Sequence, residues 1–145
     1  MIVRLDHVGV VAHSWDEAND VLVERLGFPI ELSRTRMPEG NLYEPQNTRI
    51  YFVKVGLGET LIEILIPQDT VSGIARYLAK RGPGLHHLGY ACDDVPKEAA
   101  RLREQGLEVI PIGNMQNGVF FYPKSAMGIL TELVIARDVP VAGNG

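Results

Sequence analysis

One cysteine, Cys92, stands in the whole chain of 145 residues. No intrachain disulfide is therefore possible, and neither a thiolate zinc cluster nor a Cys-x-x-Cys redox pair can be built. Long apolar runs are missing as well. None approaches the roughly 18 residues that a membrane-spanning helix needs. Positive charge is in deficit, with 14 Lys and Arg against 18 Asp and Glu, a formal net charge of −4. The densest basic stretch, Lys97 to Arg103, includes Glu98 and runs into Glu104. No basic patch exists to hold nucleic acid or an anionic membrane surface, so neither is expected as a partner. The opening residues, Met1-Ile2-Val3-Arg4-Leu5-Asp6-His7, bring in a carboxylate and an imidazole too early for the apolar region of a signal peptide. A cytoplasmic protein acting on a small molecule is the expectation. The 46% hydrophobic and 22% charged content is that of a globular chain and excludes disorder. The length suits one domain, or two small halves sharing one core.

The chain repeats itself. Asp6-His7-Val8-Gly9-Val10 near the start matches His86-His87-Leu88-Gly89-Tyr90 near the middle, positions 7 and 87 giving an offset of 80. Ser14 and Asp94 follow at equivalent places, each ahead of a helical pattern and each suited to cap it, with Pro96 in the first turn of the second helix. Gly27 and Gly106 close the two helices. Phe52 precedes Glu63, and Phe121 precedes Glu132, by the same 11 positions. Each copy reads as strand, helix, strand, strand, strand. Strands are predicted near 2–12, 29–36, 48–56 and 60–66, then near 85–93, 107–113, 118–124 and 128–136. Helices are predicted near 15–26 and 95–105, with a linking helix within about 70–81. The expected architecture is α+β, a single domain over 1–145 with one module over about 1–68 and the other over about 84–136. Copies of this size bury too little core to stand alone, so they are expected to pack as one pseudo-symmetric unit.

The repeat makes four polar residues informative. His7 and His87 fall on the first strand of each copy, and Glu63 and Glu132 on the last. Both glutamates sit in aliphatic surroundings, Leu61-Ile62-Glu63-Ile64-Leu65 and Leu130-Thr131-Glu132-Leu133-Val134. Burying an uncompensated carboxylate in such a run costs several kcal/mol. Taken singly, each Glu also fits the solvent-facing side of an alternating strand, and each His a structural role. Four at symmetric places fit two imidazoles and two carboxylates converging on one divalent cation: zinc, cobalt, nickel, iron or manganese. Alternation along the strand puts His86 on the face opposite His87, as a supporting or packing residue. His13 reads as an exposed residue at a helix entrance, and Cys92 as an inert core thiol.

At these residues the chain resembles the vicinal oxygen chelate superfamily, the glyoxalase, bleomycin resistance and dioxygenase group, and within it the methylmalonyl-CoA epimerases. The stretches that carry the resemblance are Leu5 to Val10, Ile62 to Leu65, Ser72 through His87 with its Gly82-Pro83-Gly84-Leu85-His86-His87 end, Pro123 to Ser125 and Gly128 to Leu133. The resemblance implies paired βαβββ modules in a cupped mixed sheet around one metal. His7, His87 and Glu132 would be ligands and Glu63 the fourth. It also implies a metal-chelated 2-substituted malonyl-CoA substrate, α-proton transfer with Glu132 as one base, and a homodimer. In one branch of the family the second base lies on the third strand. Here Thr48 to Phe52 carries no acid, which leaves Glu63 as the candidate for the opposite face. The loop at 113–118 is shorter than the family's, and the family's His-Pro-Lys stands here as Tyr122-Pro123-Lys124. A glyoxalase-like lyase, a dioxygenase of the same superfamily and a metal-free binding protein are the alternatives.

Overall fold

A computed structural model describes residues 1–112 and 118–137. The strands are β1 (Ile2–Val11), β2 (Asn41–Tyr43), β3 (Thr48–Lys54), β4 (Leu61–Pro67), β5 (Gly84–Cys92), β6 (Val109–Ile110), β7 (Gly118–Phe121) and β8 (Thr131–Ile135). The helices are α1, which opens at Trp15–Ala18 and continues with wider π turns over Asn19–Arg25, α2 (Gly73–Arg81) and α3 (Val95–Glu104). The fold is α+β, and its mixed sheet has the strand order β2-β3-β4-β1-β5-β8-β7-β6. The repeat is visible in the pairing. β1 runs parallel to β4 and β5 parallel to β8, while the hairpins β3/β4 and β7/β8 are antiparallel.

The helix starts follow the sequence signals. Ser14 Oγ accepts from Glu17 N–H at 3.1 Å, and Glu17 Oε1 returns to His13 N–H at 2.9 Å, a capping pair that satisfies two exposed donors. Ser72 does the same for Ala75 and Asp94 for Lys97.

Three predicted features are corrected. Residues 29–36 form no strand. Ile30 makes a single bridge to Val53, and the backbone then turns, with Ser33 Oγ donating to Glu31 Oε1 at 2.6 Å. The edge strand of the first copy is instead Asn41–Tyr43, paired with β3. The partner of Phe52 in the second copy is Phe120, not Phe121. Phe52 stands opposite Glu63 and Phe120 opposite Glu132, so the second hairpin is one residue longer than the first. A shift of one residue reverses the face of a side chain. Phe121 accordingly points into a core, fully buried. The predicted strand over 107–113 shortens to Val109–Ile110, and residue 113 lies outside the described residues.

The chain divides into two compact units, His7–His87 and a second formed by Met1–Asp6 with Leu88–Gly145. In the first, Tyr51, Val53, Ile64 and Ile66 of β3 and β4 pack with Ala12, Ala18 and Trp15 on the α1 side. Val11 and Leu65 pack with Ile74 and Leu78 of α2. Period-two alternation then sets which residues share the α2 face: Val11, Gly9 and His7 on β1, and Leu65, Glu63 and Leu61 on β4. In the second unit Cys92, Val95, Ala99, Val119, Phe121 and Leu133 form the core beneath α3. Cys92 is buried there, and burial pushes its thiol up, as an inert core cysteine requires.

Glu98 of α3 is also buried, and it accepts from Arg101 Nε at 2.8 Å. The Arg101 guanidinium, with the Met1 ammonium beside it, holds this carboxyl below the usual range. A depressed carboxyl adds stability above its unfolded pKa and loses it as the pH falls through the native value. Glu98→Gln is expected to lower the thermal midpoint by several degrees at pH 7, the scale of a charged hydrogen bond of about 1.5–3 kcal/mol. That gap to the parent should close as the pH falls below the ordinary glutamate value of about 4.3. Melting curves at pH 7 and at pH 3 test it. A gap as wide in acid as at neutrality contradicts it.

Candidate metal centre

Three of the four residues singled out in the sequence meet within the His7–His87 unit. His7 lies on β1, Glu63 on the parallel neighbour β4 and His87 on β5. The β1/β4 register places Gly9, not His7, opposite Glu63, so the carboxylate stands two residues further along the same face. Both imidazoles are buried, at 3% and 4% exposure. Nε2 of His7 and Nε2 of His87 are 3.0 Å apart. Glu63 Oε1 lies 3.3 Å from the His87 nitrogen and 3.9 Å from that of His7.

Two imidazoles that meet through Nε2 can share a proton or share a cation. Donors at metal–ligand lengths of about 2.0–2.2 Å lie roughly 2.8–3.6 Å from each other in octahedral or tetrahedral geometry. Two of the three separations fall in that range, and the third needs a shift of only about a few tenths of an ångström at the end of a flexible glutamate. Two neutral nitrogens and a carboxylate oxygen suit zinc, cobalt, nickel, manganese or iron. His7, Glu63 and His87 could therefore hold a metal ion.

The fourth residue, Glu132, lies on β8 in the other unit. It stands in register with Gly89, as Glu63 does with Gly9, so the repeat-equivalence expected from the sequence holds at the backbone. Its Oε2 would be 3.7 Å from a Cβ placed on Gly118, an ordinary contact. His13 is exposed, as expected. Residues 113–117 of the short loop lie outside the described residues. Tyr122 is exposed, and Pro123–Ser125 forms a short 3-10 turn behind it.

Gly9 is a site residue that the sequence reading passed over. A Cβ at this position would fall 2.2 Å from both Cε1 and Nδ1 of the His87 ring, far inside van der Waals contact. The glycine is the floor on which the His87 imidazole rests. Its signal was the glycine that closes each His-aliphatic-Gly triplet, Gly9 and Gly89, which served only to align the repeats. Gly9→Ala displaces the ring and is expected to weaken cobalt(II) binding at least about tenfold, the scale of disturbing a ligand's support. Competition against a chromophoric chelator measures it, and an unchanged affinity contradicts it.

His86 was expected on the opposite face of the strand. Its ring lies against that of His87, at a centroid distance of 5.1 Å and an interplanar angle of 85°, which suits the supporting or packing role read from the sequence. Tyr77 of α2 meets His86 edge-on at 4.7 Å.

Two βαβββ repeats, with a buried pair of histidines and a glutamate gathered on adjacent strands, define an α+β protein with a candidate metal centre. Residues 6–122 match the Glyoxalase/Bleomycin resistance protein/Dioxygenase superfamily model, and the chain belongs to that superfamily. It is 27% identical over 135 residues to the uncharacterized protein YqjC of Bacillus subtilis, with 90% of each chain covered. It is 29% identical over 140 residues to the ethylmalonyl-CoA/methylmalonyl-CoA epimerase of Cereibacter sphaeroides, covering 92% of this chain and 98% of that one. Among solved structures it is similar to a Streptomyces coelicolor methylmalonyl-CoA epimerase variant in complex with 2-nitronate-propionyl-CoA. The TM-score is 0.78 at 28% identity, over 94% of this chain and 99% of that one.

Proposed function

We propose that this protein is a metal-dependent isomerase that moves the α-proton of a 2-substituted malonyl-CoA-like thioester. The observation that carries the reading is the meeting of His7 Nε2, His87 Nε2 and Glu63 Oε1 on buried strands. The residues present fit a divalent ion, with Glu132 proposed as the fourth donor because it occupies in the second repeat the place of Glu63 in the first. A divalent cation held there would supply Lewis-acid stabilisation to the negative charge that develops on a thioester oxygen as the neighbouring carbon loses its proton. His7 and His87 stay neutral and fix the position of the site. Glu132 takes the proton from one face of the carbon, and Glu63 serves the other face. Inversion requires a base on each side, because a single carboxylate can only return the proton to the face it came from. The family likeness supports the substrate class, since two of the three relatives named above are epimerases of malonyl thioesters, one of them with an acyl-CoA ligand.

The test is solvent exchange. Metal-replete protein in deuterated water is expected to place deuterium at C2 of methylmalonyl-CoA and to interconvert its epimers. Metal-replete protein that leaves the thioester unlabelled ends the acyl-CoA reading. A homodimer belongs to the same proposal. Sedimentation at micromolar concentration is expected to give twice the 16.0 kDa chain mass, and a species of chain mass alone contradicts it.

A further inference from the structure

His87 turns its two ring nitrogens to different neighbours. Nε2 faces His7 and Glu63, while Nδ1 meets Nδ1 of His86 at 2.9 Å. Two imidazole nitrogens at hydrogen-bond distance need one proton between them. A His87 that offers its Nε2 lone pair to a cation carries its proton on Nδ1. The Nδ1–H of His87 then donates to His86, and His86 holds its own proton on Nε2. His86 is itself braced. The Tyr77 ring stands edge-on to it at 4.7 Å, and the Tyr77 hydroxyl donates to the Leu85 carbonyl at 2.6 Å, beside it on β5. The Arg81 guanidinium covers the Tyr77 ring at 4.9 Å. Tyr77 and Arg81 both belong to α2, so a helix bearing no ligand reaches the site through one aromatic contact.

We propose that His86 is a positioning residue for metal binding: its Nδ1 accepts from His87 Nδ1–H and so holds His87 in the tautomer and orientation that ligate through Nε2. The inference rests on the metal reading above. Partners of this kind fix the ring of a metal-bound histidine, and losing one typically costs 10–100-fold in affinity. The rival is simple packing, in which His86 is only a flat ring between Tyr77 and His87.

Two substitutions separate these roles. His86→Asn keeps an acceptor oxygen at the δ position and loses the ring. His86→Phe keeps a ring against Tyr77 and loses the acceptor. Positioning predicts that His86→Phe weakens cobalt(II) binding about 10–100-fold, while His86→Asn stays within a few-fold of the parent. Packing predicts the reverse order. That reversal, or equal affinity in parent and His86→Phe, overturns the inference. Nitrogen-15 NMR of the metal-free chain gives a second readout that needs no ion. His87 is expected to be protonated on Nδ1 in the parent and in His86→Asn. A parent His87 protonated on Nε2 overturns the role. A parent with the Nδ1–H tautomer that binds no cobalt instead overturns the metal reading on which the inference rests. A parent that binds cobalt as tightly as His86→Phe removes His86 alone.

Discussion

The double variant His7→Ala, His87→Ala is expected to lose its metal while remaining folded. Structural zinc sites of four ligands bind with apparent free energies on the order of 10–16 kcal/mol, which sets the scale here. Two of four ligands then carry roughly 5–8 kcal/mol, about four orders of magnitude or more in affinity. Parent protein purified without chelators should carry about one equivalent of metal per chain, and the double variant none. The substituted side chains are buried, so folding needs its own check by circular dichroism. A folded double variant with undiminished metal removes the centre from these residues. The same measurement decides what the 3.0 Å approach of the two Nε2 atoms is for. A pair that only shares a proton holds no cation for the variant to lose.

The second large effect separates the two faces of the substrate. Glu132→Gln and Glu63→Gln each keep an oxygen donor and remove a carboxylate. Loss of a general base costs about two to four orders of magnitude, so interconversion of the epimers is expected to fall at least a hundredfold in either variant, with metal retained. Solvent exchange should behave differently. The remaining carboxylate can still remove and return the proton on its own face, so each variant should label one epimer and leave the other alone. The two variants should choose opposite epimers. Proximity to a cation lowers the basicity of a carboxylate, which makes Glu63 the more demanding of the two assignments. Glu63→Gln with normal interconversion would leave Glu63 as a ligand only, and the base for its face would have to be sought elsewhere.

Much of the fold was legible because the chain states it twice. The caps at Ser14 and Asp94 and the strand histidines and glutamates could each be checked against a partner, and these are the places where sequence and structure agree. Residues 29–36 had no such check. Their apolar and β-branched content suits a strand, but Glu31 and Ser33 bond each other locally, and Thr35 Oγ1 takes the Phe52 N–H at 3.0 Å. Side chains satisfy backbone groups that a ladder would otherwise use. The true edge strand, Asn41–Tyr43, is only three residues long and has no periodicity to detect. The Phe121 misalignment has another cause. Counting residues from Phe to Glu assumes equal hairpins, and one additional residue in the second is invisible without pairing. At the site, residue types picked out the candidate ligands, but spacing could not show that Gly9 is kept bare by a ring 80 positions after its neighbouring histidine. Strand alternation likewise set His86 away from His87, because the rule orients Cβ atoms and leaves long rings free to fold back toward each other.

His7 and His87 are the first and last residues of one compact unit. A cation gripping both is therefore also a clasp across 80 positions of chain. Unlike a disulfide, such a clasp exists only in the folded chain, where the ligands are brought together, so the free energy of binding the cation adds directly to folding stability. This chain, with Cys92 alone, has no disulfide of its own. Chelation would then do to it what reduction does to a cross-linked protein, loosening residues 7–87 as a body and changing how readily they unfold.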